Sequence, residues 1–468
     1  MHKSKLIDLI TVFDRKEKEA LKKWVQSPVH NQHQKSTELI LILLSKRSLT
    51  ARTANRYHIY QQLFPKQEYD DAALKYLMSY AVKILEDFIE YLMQKRDAFL
   101  SKKNLIKFLT NRKLDKYAQQ WIKRLEKQQS TELIQNNDYY YRQYQLERVI
   151  FEYQNVASRG KENNLQDVLE NHYLVFVLRT LRYACEVITH QRLYKSSYEV
   201  PLLDAVLLEV KAGKYQDIPA IQLYFNSYMA LSSPEEEQYF KTLQQLLAEH
   251  HAVLPPKELK SIYLIAINYC VRRLNSGDEA YVQAVFELFQ YGLQYAILVE
   301  DGKLSQFTYK NSVTAALRLN EFKWTAQFIK EYTPLLELAY QTNYELFAKS
   351  KLLFAQKDYD ACLALLAQVD FDDVFLNMNA KSMLLKIYYE CANFEALDAL
   401  IVSFRRFLQR KTIVAYQRKI YENMIVLTEQ LMTIPTYDKE KKQALYQTIN
   451  DTHPLTEKPW LLAQLAKL

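Results

Sequence analysis

The chain has very little glycine, with only 5 glycines and 11 prolines in 468 residues. Average usage would give about 33 glycines. Strand-rich folds need glycine in hairpins and bulges, and phosphate-binding loops need it where the backbone approaches the phosphate. The five glycines are too far apart for a GxGxxG, GxxxxGK[ST] or GxSxG motif. The shortage therefore favours long helices with tight connections and excludes most nucleotide-dependent enzyme classes.

Long apolar runs and paired cysteines are also missing. The longest aliphatic run, residues 39–44, is far shorter than the roughly 20 residues of a membrane span. Asp8 interrupts the apolar stretch that a signal peptide would need. The four cysteines are widely spaced among apolar neighbours, at Cys185, Cys270, Cys362 and Cys391. We therefore expect no membrane segment, four buried thiols and a cytoplasmic protein.

Apolar residues recur at helical spacing along most of the chain. The clearest stripe lies in residues 70–97 and runs from Leu74 to Phe88 in steps of three and four. Asp70, directly before this stripe, is predicted to cap the helix by accepting from its first amide groups. Short polar links separate the other predicted helices, which indicates antiparallel neighbours.

The arrangement of the predicted helices along the chain suggests three segments. Residues 1–100 are predicted to form a basic N-terminal helical module, and residues 101–300 an irregular array of antiparallel helix pairs. Residues 301–468 are predicted to form degenerate repeats that end in a capping helix. Residues 278–298 and 322–340 are each predicted to form one continuous helix.

Three segments in the last third of the chain share a short sequence pattern. Each places an acidic or amide residue directly before an aromatic residue, at Phe322, Tyr359 and Phe394, which are 37 and 35 residues apart. This spacing resembles the junction of tetratricopeptide repeats (TPRs), whose period is about 34 residues. The resemblance implies that the aromatic side chain lies between two helices and that a small residue follows three positions later. Two of those three positions are small here, and the third is Leu397.

Other motifs resemble those of a group of bacterial helical-repeat proteins of uncharacterised activity. These motifs are residues 24–31 (WVQSPVHN), 63–65 with 69–79, 139–144 (YYYRQY) and 181–186 (LRYACE). Together with the TPR-like spacing, the resemblance implies an all-α fold. It would consist of an N-terminal helical module followed by an α-α superhelix, a TPR-like solenoid. No catalytic residue, cofactor or metal is implied.

Positive charge is concentrated in the first 130 residues, which contain 26 Lys and Arg against 14 Asp and Glu. The rest of the chain is slightly acidic. Lys22, Lys23, Lys102 and Lys103 are therefore candidate contacts to phosphate groups or to an acidic partner. Interspersed acidic residues and the lack of a nucleic-acid-binding motif make a solvated surface an equally good explanation.

A tyrosine- and arginine-rich stretch in the helix predicted at 136–156 is the candidate partner-binding site. Its candidate residues are Tyr139, Tyr140, Arg142, Tyr144 and Arg148. Helical spacing places Tyr140 and Tyr144 on one face and Tyr141 nearer Arg148. Such side chains can stack on nucleobases or clamp a peptide. Packing between helices is the alternative, and we favour it for any single tyrosine because 36 tyrosines are spread over the chain.

The leading functional hypothesis is a non-catalytic protein–protein interaction scaffold that binds a partner peptide or helix in the concave groove of the solenoid. The alternative is a nucleic-acid-associated factor that uses the basic N-terminal quarter. An enzyme is least favoured, because no set of acid, base and nucleophile can be recognised. No histidine or cysteine spacing fits a metal site, and no cofactor is expected.

Overall fold

The computed structural model describes residues 1–157, 163–194, 196–369, 374–410, 413, 415–435 and 437–468. These residues form 23 α-helices, one 3₁₀ turn and one hairpin of two-residue strands, so the all-α prediction is confirmed. Gly160, which the sequence places in a loop, lies outside the described residues. The same holds for Asp372 and Asp373, one of which is predicted to cap the helix that begins near Val374.

The chain divides into two compact units, Met1–Phe176 and Val177–Leu468. The first unit contains helices α1 Lys5–Val12, α2 Arg15–Val25, α3 Gln34–Ser45, α4 Arg56–Leu63, α5 Asp71–Arg96, α6 Ala98–Asn111, α7 Asp115–Ser130 and α8 Asn137–Ala157. Helix α9 (Leu165–Tyr194) belongs to the first unit up to Phe176 and to the second unit from Val177. The three predicted segments have other boundaries, and that finer division stays a prediction.

The second unit continues with short helix pairs. Its elements are α10 Leu203–Lys211, α11 Pro219–Ser232, α12 Glu237–Glu249, α13 Pro256–Asn275, α14 Tyr281–Gln294, β1 Val299–Glu300, β2 Lys303–Leu304, α15 Gln306–Arg318, α16 Phe322–Tyr332, α17 Leu338–Ala355, α18 Tyr359–Leu366, α19 Val374–Glu390, α20 Phe394–Arg410, α21 Ala415–Thr433, α22 Lys439–Asp451 and α23 Lys458–Lys467. Consecutive helices pack against each other, and α17 also packs against α15 and α19.

Helix α5 holds the core of the first five helices together. Its stripe from Leu74 to Phe88 is buried against apolar side chains of α1 to α4. The Asp70 carboxylate accepts from the amides of Ala72 and Ala73, as the sequence predicts. A separate core joins α6, α7 and α8 around Ile106. This second core fixes the spacing of the three helices that carry most of the predicted site residues.

Six helix junctions in the described residues use the same turn. One residue adopts a left-handed conformation and donates its amide to the carbonyl three residues before it, and the next amide donates to the carbonyl five residues before it. The left-handed residues are Lys113, Gly213, Gly277, Asn320, Lys357 and Ala392. Glycine is thus present at only two of the six turns, and the others place an L-residue where glycine is favoured.

The three TPR-like segments have a common geometry. Phe322, Tyr359 and Phe394 are each the first residue of a helix, two positions after one of the left-handed residues. The residues three positions later are fully buried, including Leu397. The same turn, and a buried residue three positions after the aromatic residue, therefore recur at all three junctions.

Two predicted helices are too long. Helix α16 ends at Tyr332 and is followed by a 3₁₀ turn, Thr333–Leu335, because Pro334 has no amide hydrogen to continue the helix. The helix predicted at 278–298 ends at Gln294.

Glycine marks two different features in this part of the second unit. Gly302 lies in the turn between β1 and β2, with φ +73°, and not at a helix junction as the sequence suggests. Gly292 lies inside α14, as predicted. A Cβ atom at position 292 would lie 2.7 Å from Leu298 Cδ1. Gly292 therefore permits a close approach within the core.

The prediction of four buried thiols is wrong for one cysteine. Cys185, Cys270 and Cys362 are buried, whereas Cys391 is exposed. Cys391 lies one residue beyond the end of α19, where the chain turns toward α20. Its apolar neighbours in the sequence belong to α19 and do not cover it.

Candidate interaction surfaces

A groove between α6 and α8 brings together residues from two separate sequence predictions. Its defining side chains are Lys103 and Lys107 from α6 and Tyr141, Tyr144 and Arg148 from α8. They line a cavity of about 370 Å³. We call this feature the α6–α8 groove.

The charged and aromatic groups of the α6–α8 groove lie close together. The Lys103 ammonium group donates to Gln145 Oε1 at 3.0 Å. The rings of Tyr141 and Tyr144 are 6.2 Å apart, and the Arg148 guanidinium lies 6.0 Å from the Tyr144 ring. Arg148 also pairs with Glu152 at 3.3 Å. The groove therefore combines three cations with three tyrosines, the third being Tyr153, and one carboxylate.

The other predicted residues of α8 do not line this groove. Tyr140 is buried, and its burial raises the pKa of its hydroxyl to about 12. Tyr139 contacts Tyr140 edge to face at 5.0 Å, and Arg142 is half-buried. Tyr140 and Tyr144 lie four positions apart on α8 but differ in their surroundings, because Tyr144 lines the groove beside Tyr141 and Tyr140 is buried.

The four predicted lysines lie in different surroundings. Lys22 pairs with Glu19 at 2.8 Å, and Lys23 is exposed on the same helix. Lys102 places its ammonium group 4.4 Å from the centre of the Trp121 ring. Lys103 alone of the four reaches the α6–α8 groove.

Helices α6 and α7 carry an excess of positive charge. Together with the turn between them, they contain nine Lys and Arg residues and only two carboxylates, Asp115 and Glu126. None of the nine forms an ion pair with a residue that the structure describes, and seven of them are exposed. The nine are Lys102, Lys103, Lys107, Arg112, Lys113, Lys116, Lys123, Arg124 and Lys127.

A second cationic feature lies in the C-terminal half and was not predicted. Lys310 and Arg318 of α15 and Lys386 of α19 lie close enough to Lys351 of α17 for their charges to act on it. Burial lowers the pKa of Lys351 to about 7. The other three cations lower this pKa further, and Glu457 acts to raise it. We call these four residues the lysine cluster.

One carboxylate of the C-terminal segment enters the lysine cluster. Glu457 Oε2 lies 2.8 Å from Lys386 Nζ. Burial acts to raise the pKa of Glu457, but Lys386, Lys351 and Arg318 lower it below its ordinary value. Arg318 also reaches Glu279, at 3.9 Å. Helix α23 follows directly and is held to α19 by a 2.7 Å hydrogen bond from Trp460 to Glu390.

A cavity in the second unit lies between α9, α11 and α13. It has a volume of about 710 Å³ and apolar walls, with a hydrogen-bonded group of polar side chains at its edge. The Tyr224 hydroxyl donates to Glu258 at 2.7 Å, and Arg182 lies 3.5 Å from the same carboxylate. Burial and the neighbouring Glu258 raise the pKa of Tyr224. Since these charges compensate each other, the arrangement suits a structural role.

Sequence reasoning missed the lysine cluster because its members are separated by up to 76 positions. One signal was available: a TPR-like first helix should be apolar where it meets its neighbours, and α17 and α19 carry several lysines. Spacing alone does not show which of them meet. Lys349, for example, points elsewhere and pairs with Glu345 at 2.6 Å.

No family model, curated protein or solved structure matches this chain. Among the described residues, no group of three or more His, Cys, Asp or Glu side chains is placed to hold a metal ion. None of the described helices combines the length and apolar character needed to cross a membrane.

Proposed function

We propose that this chain is a non-catalytic cytoplasmic interaction protein that binds an acidic segment of a partner protein at the lysine cluster. We further propose that its C-terminal helix pairs form a TPR-like superhelix. The recurring turn at Asn320, Lys357 and Ala392 supports this arrangement, because equal turns between similar helices rotate successive pairs by similar amounts.

The observation that carries the proposal is the charge imbalance of the lysine cluster. Four cations lie near two carboxylates, Glu279 and Glu457. The Lys351 ammonium group donates to the neutral hydroxyl of Thr314 at 2.7 Å, and its low pKa reflects burial among like charges. Removing cations from water is costly unless they are paired with anions. A partner's Asp or Glu side chain would supply the missing charge and restore full protonation of Lys351.

The helices that carry the lysine cluster offer a surface long enough for a peptide. Its members lie on three helices, and packed helices are about 8–10 Å apart. Three neighbouring helices therefore span about 16–20 Å, the length of five or six residues of an extended chain. The Lys386 ammonium group also lies 4.8 Å from the centre of the Phe354 ring, so an apolar side chain lies beside the charges.

The test is crosslinking and affinity capture from the native cell with the full-length protein at low and high salt. We expect one partner at a fixed ratio, crosslinked through an acidic segment to α15, α17 or α19. The variant Lys310→Gln/Lys351→Gln should lose this partner at least tenfold. The circular dichroism spectrum and the melting temperature of the variant check that it keeps its fold, so that a lost partner reflects the lost charge.

The matched control is Lys323→Gln/Lys330→Gln. Both residues are exposed on α16 and form no ion pair with a described residue. The control removes the same charge from the same unit and should keep the partner. If no partner is recovered, or if the cluster variant retains it as well as the control does, the proposed function is wrong.

A further inference from the structure

We propose that the α6–α8 groove, together with the exposed cations of α7 and of the turn between α6 and α7, binds single-stranded nucleic acid. This surface belongs to the first unit and shares no residue with the lysine cluster. The inference therefore goes beyond the proposed function, and either can fail without the other.

The electrostatic part of the argument rests on unpaired cations. Elsewhere in the first unit, several basic residues are neutralised by carboxylates, as in the pairs Lys5–Glu86 and Arg96–Glu17. The nine cations of α6, α7 and the turn between them have no such partner among the described residues. A surface of this kind attracts a polyanion and releases its counterions, which is the main source of affinity for a phosphate backbone.

The aromatic part of the argument distinguishes nucleic acid from an acidic peptide. Tyr141 is 37% exposed inside the groove, and on the outer faces of α6 and α7 Phe108 and Tyr117 are 54% and 53% exposed. Exposed rings among cations suit stacking of bases whose phosphates pair with neighbouring lysines. An acidic peptide would use the cations and leave the rings in water.

The shape of the groove favours a single strand over a duplex. The cavity of about 370 Å³ lies between two packed helices, and its lining includes the amide side chains of Asn104, Asn111 and Gln145. An unpaired base can enter a groove of this size and hydrogen-bond with amides at its edge. In a duplex the base edges are stacked inside, so only the phosphates would reach the surface.

We would measure fluorescence anisotropy of labelled oligouridylate and oligodeoxythymidylate of about 12 nucleotides, within the usual site size of single-strand binders. Three groove cations predict a slope of about −2 for the logarithm of the association constant against that of salt concentration. The variant Lys103→Glu/Lys107→Glu should bind at least tenfold more weakly at low salt, with a slope near zero. Tyr141→Ala should weaken binding about tenfold while leaving the slope unchanged.

The matched control is Lys16→Glu/Lys23→Glu, which changes the net charge of the same unit equally. Both lysines are exposed on α2 and form no ion pair with a described residue. If the control variant binds the oligonucleotide about as tightly as the unchanged protein does, the proposal is supported. Equal losses in the control and the groove variant would overturn it, since binding would then follow net charge alone.

Two further measurements keep the outcome clear even if a variant folds poorly. Ultraviolet crosslinking of a 4-thiouridine oligonucleotide to the unchanged protein should label peptides of α6 or α8. A labelled oligoglutamate of similar charge should bind much more weakly than the oligonucleotide, and so should a duplex of equal length. If oligoglutamate or the duplex binds as tightly, or if the crosslink maps elsewhere, the proposal is wrong.

Discussion

Replacing Ala392 with glycine is expected to stabilise the second unit, although glycine usually destabilises folded proteins. Ala392 adopts φ +53° in the turn between α19 and α20. Its side chain is exposed, so the substitution removes almost no packing. The turn itself is fixed by the amide of Asn393, which donates to Tyr388 O at 2.9 Å. Only the conformational energy of residue 392 should therefore change.

The magnitude follows from two opposing effects. A left-handed conformation costs an L-residue about 1–2 kcal/mol, and glycine avoids this cost. Glycine loses more backbone freedom on folding, which offsets about 0.5–1 kcal/mol of the gain. The expected net change is an increase of about 0.5–1 kcal/mol in the free energy of unfolding. For a unit of this size the melting temperature should rise by about 1–3 °C.

Urea denaturation followed by circular dichroism measures this change, and Ala399→Gly provides the control. Ala399 is exposed within α20, seven residues later, where the same substitution should cost about 1 kcal/mol. The two variants should therefore shift the midpoint in opposite directions. If both lower it by similar amounts, the left-handed strain at residue 392 has been misjudged.

Two other predictions concern the second unit. Gly292→Ala should lower stability by about 1–2 kcal/mol, because the new methyl group would lie 2.7 Å from buried Leu298 Cδ1. In a double-mutant cycle, Gly292→Ala should carry no such penalty when it is introduced into the Leu298→Ala variant, as measured by melting temperatures. Lys351 has a pKa of about 7, below its value in the unfolded chain, so unfolding takes up a proton between pH 7 and pH 10. Its contribution to stability should therefore rise with pH by about 1–2 kcal/mol from pH 7 to 9. Urea midpoints of Lys351→Met should lack this rise, and parallel pH profiles for the two proteins would contradict the assignment.

Much of the secondary structure could be predicted because it depends on neighbours in the sequence. The stripe from Leu74 to Phe88 fixes both the existence and the buried face of α5, and Asp70 fixes its first residue. The helix at 322–340 was predicted too long because apolar spacing continues past Pro334, while the missing amide of that proline ends α16.

The candidate site residues show a different limit. The sequence pointed to Tyr144, Arg148 and Lys103 for separate reasons, and only packing of α6 against α8 places them in one groove. Tyr140 is buried in the interior, although it lies four positions from Tyr144. A spacing of four residues selects one helix face but does not say where a neighbouring helix covers it.

The scarcity of glycine by itself determined a helical protein without glycine-rich loops, because those loops depend on the backbone chemistry of single residues. Tertiary structure alone decided how the chain turns with so few glycines, by holding residues such as Lys357 and Ala392 in the left-handed conformation. It also decided which charges meet, since Lys351 and Glu457 are more than 100 positions apart in the sequence. Local chemistry fixes helices, whereas contacts between distant helices fix the surfaces on which binding depends.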